Sequence, residues 1–135
     1  MSISIGATSI SDMIVAAQDS FGIYWLSAKV YSAKYALEKI KAPAQSGFKV
    51  KRHGFAGRNF IFEILVVDTS NDECINAMLQ FEDDNSNKNI RIITGGETYN
   101  DCEFNDYEII SGPKVCETGK YLMRVRINCE QLRVD

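Results

Sequence analysis

Residues able to do chemistry are few and widely spaced in this chain. His53 is the single imidazole. A general base needs an acid or nucleophile held within hydrogen-bond reach. The neighbours Lys51, Arg52 and Gly54 fit a solvated turn better. Carboxylates are plentiful, as in Asp83-Asp84 and in Asp101 with Glu103. Glycosidic chemistry needs two of them across a cleft, whereas acids this close in sequence read as a solvated face. Asp83-Asp84-Asn85-Ser86-Asn87 has the composition of a calcium loop but lacks its spaced ligands and closing Glu. Gly54-Phe-Ala-Gly57 lacks the Lys-Ser/Thr of a phosphate loop. Cys74, Cys102, Cys116 and Cys129 form no CxxC pair, so zinc is not expected. Their mostly apolar neighbours suit buried free thiols. The expectation is a chain with no catalytic residue, metal or cofactor, and so not an enzyme.

Binding chemistry is better represented. From Lys39 to Arg58 there are six Lys or Arg and no acid, whereas from Glu63 to Glu108 acids dominate. Lys49, Lys51, Arg52 and Arg58 could meet phosphates, with Phe48 and Phe55 to stack on bases. The whole chain carries 15 basic and 18 acidic side chains and a formal charge of −3. That balance gives no preference for nucleic acid, which is not the expected partner. Segregated charge of this kind can instead align subunits. Aromatic residues crowd the first third, where they fit a protein interface. The candidate interface residues are Trp25, Tyr31, Tyr35, Lys49, Lys51, Arg52 and Phe55.

The elements that must carry these residues are mainly strands. Arg58–Val67 is rich in β-branched and aromatic residues, with Phe60, Phe62, Ile64 and Val66 on one face. Ser70 and Glu73 have capping-box spacing, and Cys74, Ile75, Met78, Leu79 and Phe81 recur at helical intervals behind them. The acidic run Glu82–Asn87 is expected to fray into a solvated turn, since the dipole disfavours acids at a helix end. Lys120–Glu130 alternates cleanly, with Tyr121, Met123, Val125, Ile127 and Cys129 facing inward. Asn89–Thr94, a Gly95-Gly96 hairpin turn, Glu97–Asn105 and Tyr107–Ile110 supply further strand, the last two either separate or joined through a bulge. Ser111-Gly-Pro113 and Thr118-Gly119 are expected turns. Phe48–Arg52 reads as a short strand, and His53–Gly57 as a tight connection or flexible loop.

Three early segments stay open. Residues 1–10 are either a mobile arm or a first strand. Ser11–Gln18 could make one or two helical turns. Ser27–Lys41 supports a helix, through Val30, Ala33, Leu37 and Ile40, or a strand, through Tyr31, Ala33, Tyr35 and Leu37; single-sequence rules lean to the helix. The length of 135 residues, with 45% hydrophobic and 24% charged, suits one folded domain. Too few helices exist for a parallel α/β sheet. The expected fold is mainly β, an antiparallel barrel or sandwich with one capping α-helix. No apolar run reaches membrane-spanning length, and Met1-Ser-Ile-Ser-Ile lacks a basic leader. Synthesis in a reducing cytoplasm is expected.

The order of elements resembles phage tail baseplate proteins, especially distal tail and tail-tube-like modules. Three stretches carry the resemblance: Pro43–Gly47 through Arg58-Asn-Phe60, the helix Ser70–Glu82, and Gly96-Glu-Thr-Tyr99 with Cys102-Glu-Phe104 and the closing strand Tyr121–Cys129. It lies in element order over about 85 residues. It implies a structural component of a tail or baseplate, made in the host cytoplasm and carried in the virion tail. The implied partners are copies of itself, as a hexamer or trimer, and neighbouring tail proteins. Barrel edges that need pairing agree with that implication. The alternatives are a small β-rich adaptor or a weak nucleic-acid-binding module.

Overall fold

The computed structural model describes the backbone of residues 3–13, 21–32, 34–40 and 49–132, with side chains except at 34–40 and 49–56. Eight strands and one complete helix follow in order: β1 (Ile3–Ile5), β2 (Thr8–Asp12), β3 (Gly22–Val30), β4 (Lys34–Ile40), β5 (Lys49–Asp68), α1 (Asn71–Asn85), β6 (Ile90–Thr94), β7 (Glu97–Val115) and β8 (Tyr121–Gln131). Seven strands close into a barrel in the order β3-β2-β1-β6-β7-β8-β5, and β5 returns to pair with β3. The pairings are antiparallel except β2–β3, where Ser11 and Asp12 run parallel to Tyr24 and Trp25.

The expected alternation on β5 and β8 builds the core. Phe60, Phe62, Ile64 and Val66 face Met123, Val125, Ile127 and Cys129, all at most 1% exposed. Ile3, Ile5, Ile10, Ile90, Ile92, Cys102 and Phe104 complete the interior from the other strands. Burying that many branched and aromatic side chains is the main driving force for closure. Tyr121 packs against this core only half-buried.

Helix α1 covers the same core. Ser70 caps it, its Oγ accepting from the Glu73 N–H at 3.2 Å. Cys74, Met78 and Phe81 face inward, whereas Leu79 is exposed. β6 pairs with β7 only over Glu97–Cys102, and beyond it Phe81 packs edge-on against Phe104 at 5.6 Å. The acidic tail does not fray as expected. Helix continues to Asn85, which is buried and donates to the Phe81 carbonyl at 2.9 Å. Gln80 donates to Asp84 at 2.8 Å, and the Ser86 N–H closes onto Glu82 O. These bonds outweigh an unfavourable dipole term of a few tenths of a kcal/mol, about 0.3–1.

Open segments take one of their alternatives, and two expected chain breaks are corrected. Ser27–Val30 and Lys34–Ile40 are strand, not helix: β3 and β4 run successively antiparallel to β5, from Gly22↔Val67 to Ile40↔Lys49. Ladder pairing with a long partner overrides the helical period. Residues 3–12 are strand rather than arm, turning at Gly6. His53–Gly57 is not a connection but the interior of β5, with register shifts against β4 marking bulges there. Ser111-Gly-Pro113 does not turn the chain either. It lies within β7, where shifts between Ile109/Ser111 and Ser111/Lys114 absorb it. The segment 14–20, which holds most of the proposed early helix, and the loop 42–47 lie outside the described residues.

Candidate interaction surface

β3 and β4 together make one interrupted strand against the whole of β5. Its lower half, β3 with Phe60–Val67, is barrel wall. Its upper half, β4 with Lys49–Gly57, is a two-stranded ribbon outside the closed ring, because β8 pairs with β5 only from Arg58 onward. Among the described strands neither outer edge of the ribbon has a partner. Between Lys34 and Gly57 the sequence places six Lys or Arg against Glu38 alone.

Acids outnumber bases among the outward-facing side chains below the ribbon root. Glu63 receives Arg124 at 3.1 Å and Arg126 at 3.5 Å, and Arg126 also reaches Glu108 at 3.7 Å. Nearer the root, Glu103 stands directly opposite Glu130, and Glu130 opposite Asn59. Asn128 donates to Asp106 at 2.6 Å. A shallow cleft of about 350 Å³ opens here, lined by Tyr31, Asn59, Ile61, Asn105 and Asn128. At the root itself, a Cβ on Gly57 would lie 3.1 Å from Glu130 Oε1. On the inward side Arg58 stacks over the Tyr99 ring at 5.1 Å, and Tyr99 meets Phe60 edge-on.

The sequence-derived candidates divide among these surfaces. Trp25 is half-buried in the barrel wall, packed against the core, with its indole N–H donating to Asp12. Tyr31 is 44% exposed beside the cleft. Tyr35, Lys49, Lys51, Arg52 and Phe55 lie on the ribbon backbone, and their side chains fall outside the described residues. Sequence reasoning missed Glu103, Asp106 and Glu130 as neighbours. Glu103 and Glu130 are 27 positions apart in the sequence, and only the β7–β8 register brings them together.

Thiols are distributed as structural groups. Cys74, Cys102 and Cys129 are buried thiols, and Cys116 is partly exposed. Burial, with the charges of Cys102 and Asp106 adding, pushes the Cys129 thiol up to about 12. Burial and the Asp68 charge raise Cys74. A hydrogen bond with the Thr118 hydroxyl lowers Cys116. Among the described residues no three His, Cys, Asp or Glu side chains converge as a metal site. No helix there is long and apolar enough to cross a membrane. The arrangement offers charge, hydrogen-bonding amides and open strand edges. No family model and no curated protein matches the chain.

Proposed function

We propose that this chain is a non-enzymatic structural subunit that assembles with copies of itself into a ring, in the manner of phage tail and baseplate components. The observation that carries this reading is the ribbon of β4 with Lys49–Gly57. An isolated two-stranded hairpin is marginal in water, and unpaired strand edges are templates for further pairing. A ribbon held outside a finished barrel therefore fits a segment stabilised by contact with something else. Its excess of Lys and Arg favours an acidic contact surface. A contact between two different surfaces is head-to-tail, and such contacts close into rings when the rotation allows. On this reading the partners are sister subunits and neighbouring tail proteins, and the location is the virion tail after synthesis in the host cytoplasm.

Sedimentation across a concentration series, with native mass spectrometry for stoichiometry, tests the reading. A trimer or hexamer is expected, weakening as salt rises. Lys49→Glu, Lys51→Glu and Arg52→Glu together should shift the population toward monomer, most strongly at low salt. A clean monomer at tens of micromolar, alone and mixed with its neighbouring gene products, would overturn the reading.

A further inference from the structure

We infer that the outer face of β7 and β8 around Glu103, Asp106 and Glu130 is the dock for the basic ribbon of a second copy of this chain. This rests on the assembly reading above and names the surface it uses. Glu103 and Glu130 face each other across the ladder on the outer side of the barrel. Like charges directly opposite destabilise a sheet. Among the described residues neither forms an ion pair. Asp106, one strand position beyond the bulge at Asn105, adds a third carboxylate to the same face. The arginines of this face are engaged lower down, by Glu63 and Glu108. The region nearest the root thus keeps an excess of negative charge that a cationic partner would relieve.

The cleft beside these acids supplies the rest of a dock. Asn59, Asn105 and Asn128 present amide groups, and Tyr31 and Ile61 present partly exposed apolar surface. Amides can pair with an incoming strand backbone, and a polar rim around a small apolar centre is ordinary interface anatomy. The ribbon has matching properties: edges without a partner among the described strands, and an excess of Lys and Arg.

A basic ribbon seated here comes from another copy, because the chain's own ribbon cannot reach. β5 is continuous from Lys49 to Asp68, and Gly57 lies beside Glu130. Strand rise is ~3.3 Å per residue, so Arg52 and Lys49 lie roughly 17 and 26 Å beyond that root. Folding them back would break the β4–β5 ladder. The acids and the distal basic residues of one chain are therefore held apart by the same strand that makes them complementary between chains.

Charge exchange tests the dock. Glu103→Lys with Glu130→Lys makes the face variant, and Lys49→Glu, Lys51→Glu and Arg52→Glu make the ribbon variant. Each alone should sediment as a folded monomer where the parent chain assembles, with folding checked by circular dichroism. Mixed in equal amounts, each variant offers the other a complementary ribbon and face, so alternating assemblies should reappear. A face variant that assembles like the parent overturns the dock and leaves the assembly reading standing. A monomeric face variant that the ribbon variant does not rescue overturns the dock as well. A parent chain that never assembles removes both.

Discussion

At the scale of single residues, Gly6 leaves no room for a side chain beside Asn85. Gly6 has φ of +58°, and a Cβ there would lie 2.2 Å from Asn85 Oδ1. Gly95 has almost the same φ, +60°, with nothing within 4 Å of its Cβ position. Gly6→Ala and Gly95→Ala therefore share a backbone cost of about 1 kcal/mol. Only the first adds overpacking against a buried side chain, about 1–3 kcal/mol more. Urea unfolding should show the larger loss for Gly6→Ala; equal midpoints would mean that Asn85 moves aside freely. Cys129 gives a second residue-scale prediction, in pH. Its thiol holds its proton to about 12 in the folded chain, against 9.0 for an ordinary thiol. Between those values the unfolded chain has lost a proton that the folded chain keeps, so stability falls as pH rises above 9.0. The slope approaches about 1.4 kcal/mol per pH unit. Cys129→Ala should flatten the decline measured by denaturant unfolding between pH 8 and pH 11. An unchanged decline would assign it to other groups.

At the scale of elements, α1 depends on its first turn. Ser70→Ala removes the oxygen that accepts from the Glu73 N–H and should cost about 1 kcal/mol of stability. An unfolding midpoint that does not move would show that water replaces the hydroxyl fully. This cap was readable in the sequence because its signal is local: Ser70 and Glu73 are three residues apart. So was the buried face of β8, where alternation is strict, whereas on β5 Ile61, Leu65 and Val67 share the second face and both sides read as apolar in part. The ordered acidic end of α1 was not readable, because the bonds that hold it run through Asn85, a polar residue whose burial the sequence does not signal. Residues 27–40 were open to both periods. Val30, Ala33, Leu37 and Ile40 do recur at a helical period, but β5 offers ladder partners to Ser27–Val30 and to Lys34–Ile40. Glycine and proline misled differently. Gly54 and Gly57 in β5, and Gly112-Pro113 in β7, look like chain reversals. They sit in bulged stretches of long strands instead, and Pro113 lies on β7 beyond the part that β6 pairs.

At the scale of the whole molecule, closure and projection are separate properties of one hairpin. The closing pair β3–β5 joins residues 30 to 45 positions apart, and the parallel β2–β3 pair has no sequence signature. Segregation of basic and acidic stretches was legible from composition, but that the basic stretch stands outside the ring was not. The separation can be tested by surgery. Val30 pairs with Phe60, and the Tyr31 N–H donates to Asn59 O at 3.1 Å. Ser32 and Arg58 therefore stand where a tight turn could join β3 to β5. Excising residues 33–57 and linking Ser32 to Arg58 through Asn-Gly supplies the turn such a two-residue hairpin prefers. All seven barrel strands keep their partners, since β4 pairs only with the excised part of β5. The shortened chain should unfold cooperatively with a stability near the parent's, because every core residue among the described side chains lies outside the excised stretch. Its net charge becomes more negative, and it should sediment as a monomer under conditions where the parent assembles. Persistent assembly of the shortened chain would place the joint between subunits elsewhere on the barrel. Failure to fold would show that the ribbon, rather than projecting from a finished barrel, is part of what holds it closed.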